Sequence, residues 1–120
     1  MAYDTGLAER IREQLRGNLY ITEKKMFGGL CFLHDGNMLC GIVKDELMLR
    51  TGPDLYAILL TKPYAREMDF TGRPMKGMLI VETQGFSEDT DLKWWLDQVL
   101  VFVSALPPKV NQKRLPTARP

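Results

Sequence analysis

The side chains best suited to chemistry in this sequence are two cysteines and the only histidine, which surround one short turn. Cys31 and His34 precede the turn and Cys40 follows it. Thiols placed in this way could form a disulfide or sense oxidation, and a nearby histidine could complete a zinc site. Buried cysteines that act as small apolar side chains explain the same pattern. We favour that interpretation, because no cationic residue lies beside either thiol in the sequence.

The turn itself fixes which of these side chains can meet. Asp-Gly at the centre of a two-residue loop favours a type I′ hairpin turn, which pairs His34 with Asn37. The same register makes Cys31 and Cys40 direct cross-strand neighbours in a non-hydrogen-bonded pair. His34 then points away from Cys31, because side chains alternate along a strand. The sequence therefore predicts a cross-strand thiol pair at Cys31 and Cys40 but no metal site.

A second group of charged side chains lies in and beside the turn-rich segment 71–77, which is too long for a tight hairpin. Its members are Arg66, Asp69, Arg73 and Lys76. The cations could line a pocket for an anion or a small molecule, and such a pocket could support an enzymatic site. Solvated loop charges are the more frequent outcome for residues of these types. We therefore treat the four residues as a candidate interaction or anion-binding surface.

Other catalytic arrangements are disfavoured. No serine, cysteine or carboxylate is spaced to form a recognisable nucleophile–base pair with His34. Gly28 and Gly29 lead into more strand, whereas the glycines of a phosphate-binding loop lead into a helix N-terminus. The glycine pair instead predicts a bulge, a sharp bend or the close approach of another backbone. We predict no catalytic residues and no cofactor.

Size and charge limit the partners. A chain of 120 residues with a formal net charge of +1 suits one domain without bulk attraction to nucleic acid or membrane. No apolar run reaches the ~20 residues of a membrane span and no secretion signal is visible, so the cytoplasm is the expected location. We place the domain at 1–108 and a basic, disordered tail at 109–120. The tail cations lack aromatic side chains between them, which disfavours direct nucleic-acid binding.

Apolar spacing and turn residues predict the elements that position these side chains. Leu7, Ile11 and Leu15 recur at helical spacing behind a cap at Asp4 or Thr5.

A meander of three strands then occupies 25–51, because apolar runs alternate with short polar turns. Gly-Pro-Asp from position 52 starts a second helix, two further strands follow, and apolar residues over 92–106 recur at the spacing of the main helix. This order, α-β-β-β-α-β-β-α, predicts an α+β fold with two layers and a mainly antiparallel, five-stranded sheet.

Two further features leave alternatives open. Trp94 and Val101 lie at the margin of the last helix's apolar stripe. They either widen its buried face, which we favour, or mark a self-association patch.

The internal methionines lie on or beside the predicted strands. We expect most of them in the core, although flexible thioethers also suit surfaces that adapt to partners.

Three stretches together resemble the TfoX/Sxy N-terminal domain family: residues 22–29, the Asp-Gly-Asn hairpin, and residues 68–77 with their Gly-Arg-Pro-Met-Lys-Gly sequence. The structural motif within the first stretch is Met26, Phe27, Gly28 and Gly29. The resemblance covers about Tyr3 to Lys109. It implies the arrangement of elements given above and an association with the bacterial regulation of natural competence genes, and it brings no catalytic residues.

Long members of that family carry a second, C-terminal domain and are thought to help the cyclic-AMP receptor protein activate particular promoters. The basic tail stands in that place here, so the resemblance implies a stand-alone member. We expect a non-enzymatic module that assists transcription regulation through a protein partner, met by a sheet edge or by the surface from Arg66 to Lys76. A homodimer also stays open. The alternative is a small-molecule or anion-binding domain, centred on Arg66, Asp69, Arg73 and Lys76.

Overall fold

The structure is a computed structural model that describes residues 3–26, 28–69 and 74–109. Its elements are α1 (Thr5–Gln14), β1 (Ile21–Met26), β2 (Gly29–His34), β3 (Asn37–Val43), β4 (Glu46–Arg50), α2 (Gly52–Leu60), β5 (Ala65–Asp69), β6 (Pro74–Val81), a 3-10 turn (Thr83–Phe86) and α3 (Asp89–Ser104). The strands form one sheet in the order β1-β2-β3-β4-β6-β5, with antiparallel neighbours throughout. The predicted α+β class with an antiparallel sheet is confirmed. The predicted number of five strands is wrong, because the described ranges contain six.

The additional strand arises because the chain reverses at the paired glycines. Met26 pairs with Gly29 across a two-residue loop, and Gly28 has a φ of +74°, a left-handed conformation that glycine adopts without strain. Residues Ile21–Met26 therefore form an edge strand instead of leading straight into β2. A sharp bend was one of the predicted roles of the glycine pair, and it is confirmed. Phe27, within the predicted motif, lies outside the described residues.

Gly29 also shows a second predicted role, the close approach of another backbone. A Cβ atom at this position would overlap the carbonyl oxygen of Ile42 on β3. The two strands can therefore keep their spacing here only if residue 29 has no side chain.

The register of the β2–β3 hairpin follows the prediction for only two pairs. His34 pairs with Asn37 as the turn predicts, but the ladder then shifts by one residue. Leu39 is the extra residue of a β-bulge, so Phe32 pairs with Cys40 instead of with Leu39. Leu39 and Cys40 both pack in the cluster beneath the helices, although they are consecutive.

This shift separates the two thiols. Cys31 pairs with Gly41, and it packs in a different apolar cluster from Cys40. Both cysteines are free and buried. The predicted cross-strand pair of Cys31 and Cys40 is wrong, because a slip of one residue moves a side chain to the other face of the sheet. The favoured interpretation, buried cysteines that act as small apolar side chains, is confirmed.

The helices lie on one face of the sheet, where their apolar side chains and the strands form the larger core. The helix residues buried there are Leu7, Ala8, Ile11, Leu15, Tyr56, Leu59, Leu92, Trp95, Leu96, Val99 and Val103. The strand residues that meet them are Leu30, Phe32, Leu39, Cys40, Ile42, Leu47, Leu49, Leu79 and Val81. Burial of so many apolar side chains supplies the main driving force for folding.

The margin of α3 differs from the prediction. Trp94 and Val101 are 41% and 74% exposed, so the favoured interpretation, in which they widen the buried face of α3, is wrong. Ile58 on α2 is also exposed, at 58%, whereas Tyr56 of the same helix is buried.

The N-terminal cap of α1 is Asp4, which is one of the two cap residues that the sequence predicts. Its Oδ1 accepts hydrogen bonds from the backbone N–H groups of Gly6 at 2.9 Å and Leu7 at 3.2 Å. Replacing Asp4 by alanine leaves these donors without a protein partner, so we expect the free energy of unfolding to fall by about 1 kcal/mol in urea titrations. Thr5→Ala is the matched control, because Thr5 is the first exposed helical residue. An equal loss in both variants would contradict the assignment of the cap.

The chain leaves α3 toward the β2–β3 turn. The backbone N–H of Lys109 donates to the carbonyl oxygen of Asp35 at 2.9 Å, and the Asn37 side-chain amide donates to the carbonyl oxygen of Pro107 at 2.8 Å. Residues 110–120 lie outside the described residues, so the disordered tail and the domain boundary at 108 stay predictions. Among the helices in the described ranges, none has the length and apolar character needed to cross a membrane.

Candidate functional site

The face of the sheet opposite the helices carries a second apolar cluster, whose members among the described residues all lie on strands. One row of direct cross-strand partners crosses all six described strands, and direct partners point to the same side of a sheet. From β1 to β5 the row consists of Lys24, Cys31, Gly41, Met48, Ile80 and Arg66. Gly41 leaves room in the row, because a Cβ atom there would meet both Met48 Cε and Cys31 Sγ.

We call this cluster the methionine face. Its buried residues are Cys31, Met48, Met68 and Ile80, and the partly buried residues packed against them are Met26, Leu33, Met38, Val43 and Met78. Methionine is unbranched and its thioether is polarizable, so such side chains can repack around a binding partner at low cost. Five apolar side chains of this face keep part of their surface in solvent.

An ion-pair network forms the rim of the methionine face at the β5 end. Arg66, the direct partner of Ile80, donates from one guanidinium nitrogen to Glu46 and from Nε to Glu82 Oε2 at 3.3 Å. Glu46 is the cross-strand partner of Val43, which belongs to the same face. An apolar centre with a polar, solvent-exposed rim is the usual anatomy of a protein–protein interface.

The predicted anion surface is only partly described. Arg66 is exposed and held by two carboxylates, which compensate its charge, and Lys76 is exposed. The backbone of Asp69 pairs with Pro74, but the Asp69 side chain and the whole of Arg73 lie outside the described part of the chain. The grouping of these four residues into one site stays a prediction.

The thiols are poorly placed for nucleophilic chemistry. Burial raises the pKa of the Cys31 thiol to about 11 and also raises the pKa of the Cys40 thiol. The reactive thiolate is therefore scarce at neutral pH. His34 is buried beside Tyr20, with 5.5 Å between the ring centroids. Within 3–26, 28–69 and 74–109, no three histidine, cysteine or carboxylate side chains form a group that could hold a metal ion.

A cleft of about 490 Å³ also lies between the start of α1 and the 3-10 turn. Two of its charged side chains, Asp4 and Arg10, already have partners. Asp4 caps α1, and Arg10 donates to the carbonyl oxygen of Phe86 at 2.6 Å and to Asp89 Oδ1 at 2.9 Å. These contacts connect α1 to the segment before α3, which gives the cleft residues a structural role.

The methionine face was not predicted as a site, although the sequence contains a signal for it. A sheet with one solvated face alternates apolar and polar residues along its strands. The runs Leu30–Leu33 and Leu47–Leu49 are continuously apolar instead, and both are buried except for partly buried Leu33. Unbroken apolar runs in two strands of one sheet indicate that both faces of the sheet have apolar surroundings.

Comparison with known proteins adds one finding. The family model described as the TfoX N-terminal domain matches residues 13–102, which include every strand and most of the helical layer. No curated protein matches the sequence significantly.

Proposed function

Because this chain belongs to the TfoX N-terminal domain family, we propose that it is a non-enzymatic interaction module that assists transcription regulation of the competence type. It acts in the cytoplasm through a protein partner, which docks on the methionine face. The observation that carries this proposal is the strand-only apolar cluster with its charged rim at Arg66.

The composition of the methionine face supports a protein as the partner. Proteins that bind several partner sequences use flexible, methionine-rich surfaces that can repack. The exposed charges at the rim add orientation and selectivity, because a partner has to match the positions of Arg66, Glu46 and Glu82. A small polar ligand would find few hydrogen-bonding groups at the centre of this face, which is lined by thioether, thiol and aliphatic side chains.

An enzymatic role has less support. The TfoX N-terminal domain is not a known enzyme family. The raised pKa of the Cys31 thiol makes it a weak nucleophile near pH 7. The alternative of an anion site receives little support from Arg66, because its guanidinium already pairs with two glutamates.

The family resemblance suggests the cyclic-AMP receptor protein as the first partner to test, and RNA polymerase serves as a second candidate from the transcription machinery. We expect the purified chain to bind one of them in titration calorimetry or biolayer interferometry. A Met38→Lys variant should bind at least about tenfold more weakly, because it places a charge in an apolar interface. Arg66→Glu tests the rim and carries less risk of unfolding, since exposed ion pairs contribute little to stability.

Ser104→Lys is the matched control, because it introduces the same charge at an exposed residue of α3, on the opposite side of the sheet. Arg73→Ala combined with Lys76→Ala tests whether the surface predicted from the sequence belongs to the same interface. Circular dichroism establishes that each variant is folded. The proposal would be wrong if the folded wild-type chain bound neither protein, or if Ser104→Lys and the methionine-face variants weakened binding equally.

A further inference from the structure

The outside of the helix layer carries an apolar patch that the proposed function does not use. It consists of Ile58 on α2 and of Trp94 and Val101 on α3, which are 58%, 41% and 74% exposed. Exposed tryptophan, isoleucine and valine on neighbouring elements are typical of interaction surfaces. We call this group the α2–α3 patch.

Two contacts define how α2 and α3 lie relative to each other. A Cβ atom at Gly52, the first residue of α2, would lie 2.6 Å from the Phe102 ring near the end of α3. Lys62, just after α2, has its Nζ 5.8 Å from the centroid of the Trp94 indole near the start of α3. The two helices therefore run side by side in opposite directions. Ile58 lies one turn before Lys62, on the same side of α2, so it belongs to the surface that contains Trp94.

The charges at the two ends of α2 are opposite. Asp54 is exposed in the first turn, and Lys62 is exposed just after the last turn. Ile58 is midway between them, with a rise of about 6 Å on each side. On α3, Gln98 occupies the corresponding middle position between Trp94 and Val101. The α2 side of the patch thus has apolar Ile58 between a negative end and a positive end, and the α3 side has apolar Trp94 and Val101 at its ends.

We propose that a second copy of this chain occupies the α2–α3 patch and forms a homodimer with two-fold symmetry. The axis lies in the plane of the patch, at right angles to both helices and level with Ile58. It brings each Trp94 against the partner's Val101 and each Asp54 against the partner's Lys62. An interface of this kind uses the same patch on both subunits, so it requires a surface that is complementary to itself after rotation.

The size of the patch is that of a weak, reversible interface. The sixteen residues of α3 extend for about 24 Å and the nine residues of α2 for about 14 Å, and each helix is about 10 Å wide. Such a face offers on the order of 400 Å² per copy, or about 800 Å² in total, which is the size of weak and transient interfaces. We therefore expect a weak dimer, with a dissociation constant in the micromolar range or above.

Sedimentation velocity of the full chain, from about 5 μM to about 500 μM, tests the proposal. The wild-type sedimentation coefficient should rise with concentration toward that of a dimer. Val101→Glu should stay monomeric over this range, and it should fold normally because Val101 is the most exposed residue of the patch. Lys24→Glu, on the edge strand β1, is a control that should dimerise like the wild type.

A charge exchange tests the orientation of the two copies. Asp54→Lys alone places like charges together at both ends, so the dissociation constant should increase about tenfold. The double variant Asp54→Lys/Lys62→Asp restores opposite charges at both ends and should return to within about threefold of the wild type. The proposal would be overturned by a wild-type chain that is monomeric throughout, by a dimer that Val101→Glu leaves intact, or by failure of the double variant to restore dimerisation. The methionine face is on the other side of the sheet, so these results are independent of the proposed function.

Discussion

Replacing Gly29 by alanine is expected to lower the free energy of unfolding by about 3 kcal/mol, the upper range for overpacking a buried site. The cause is steric, because the added methyl group would overlap the carbonyl oxygen of Ile42. A flexible side chain could rotate away from such a clash, but a backbone carbonyl of a paired strand cannot. The β2–β3 ladder has to separate locally, which weakens hydrogen bonds on the strand that carries both Cys31 and Phe32.

Gly28→Ala is the matched control for this substitution. Among the described residues beyond its chain neighbours, none has an atom within 4 Å of a Cβ added at Gly28, but the φ of +74° is unfavourable for alanine. In this variant the free energy of unfolding should fall by only about 1 kcal/mol, which is the cost of the left-handed conformation. Thermal unfolding should show the difference, with midpoints lowered by about 12 °C for Gly29→Ala and about 4 °C for Gly28→Ala. Equal midpoints would mean that the close contact between β2 and Ile42 is not rigid.

The elements that follow local rules were predictable from the sequence. The Asp4 cap, the proline start of α2 and the turn pair of His34 and Asn37 each depend on a few consecutive residues. The buried stripe of α3 was predictable for the same reason, since helical spacing repeats along one segment. Predictions of this kind need no knowledge of what lies across the sheet.

The β-bulge depends on packing that the local sequence does not reveal. Met38, Leu39 and Cys40 are three consecutive apolar residues, so no polar residue marks which of them faces which side. Leu39 and Cys40 both bury their side chains beneath the helices, and only a bulge lets consecutive residues do so. The error about the thiol pair follows directly from this ambiguity, because successive side chains of a strand point to opposite faces of the sheet.

The missed strand β1 has a different cause. Residues 22–25 are polar or charged and exposed, so the alternation that indicates a half-buried strand is absent. Charged residues on an edge strand are common because they discourage pairing with other molecules. The charged segment therefore forms a strand through the hairpin turn at Gly28 and backbone pairing with β2.

The sequence indicated the α2–α3 patch and the methionine face only in part. The sequence singled out Trp94 and Val101, but whether they are buried depends on where α2 lies, and no pattern within α3 fixes that position. Most of the methionines were expected in the core, but Met26, Met38 and Met78 are only partly buried, because a continuous apolar run does not show which residues share a face. The register across β3, β4 and β6 assigns Met48 and Ile80 to the methionine face and separates them from the helix layer.

The separated thiols lead to the second large expected effect, a loss of stability at alkaline pH. Burial raises the pKa of Cys31 from 9.0 to about 11, and it raises the pKa of Cys40 as well. A thiol whose pKa is higher in the folded state keeps its proton more tightly there. Its contribution to stability is complete below pH 9 and is lost as the pH rises toward 11. Titration of the Cys31 thiol alone should lower the free energy of unfolding by about 1.4 kcal/mol between pH 7 and pH 10. Titration of Cys40 acts in the same direction.

Urea titrations at pH 7, 8, 9 and 10 under reducing conditions measure this effect, and the double variant Cys31→Ala/Cys40→Ala provides the control. The variant starts from a lower stability because two buried side chains are shortened, but its stability should decline less with pH. Lysine and tyrosine titrations, including that of Tyr56, whose pKa is also raised by burial, are common to both proteins and cancel in the difference. Parallel pH curves for the wild type and the variant would contradict the description of both thiols as buried and protonated in the folded protein.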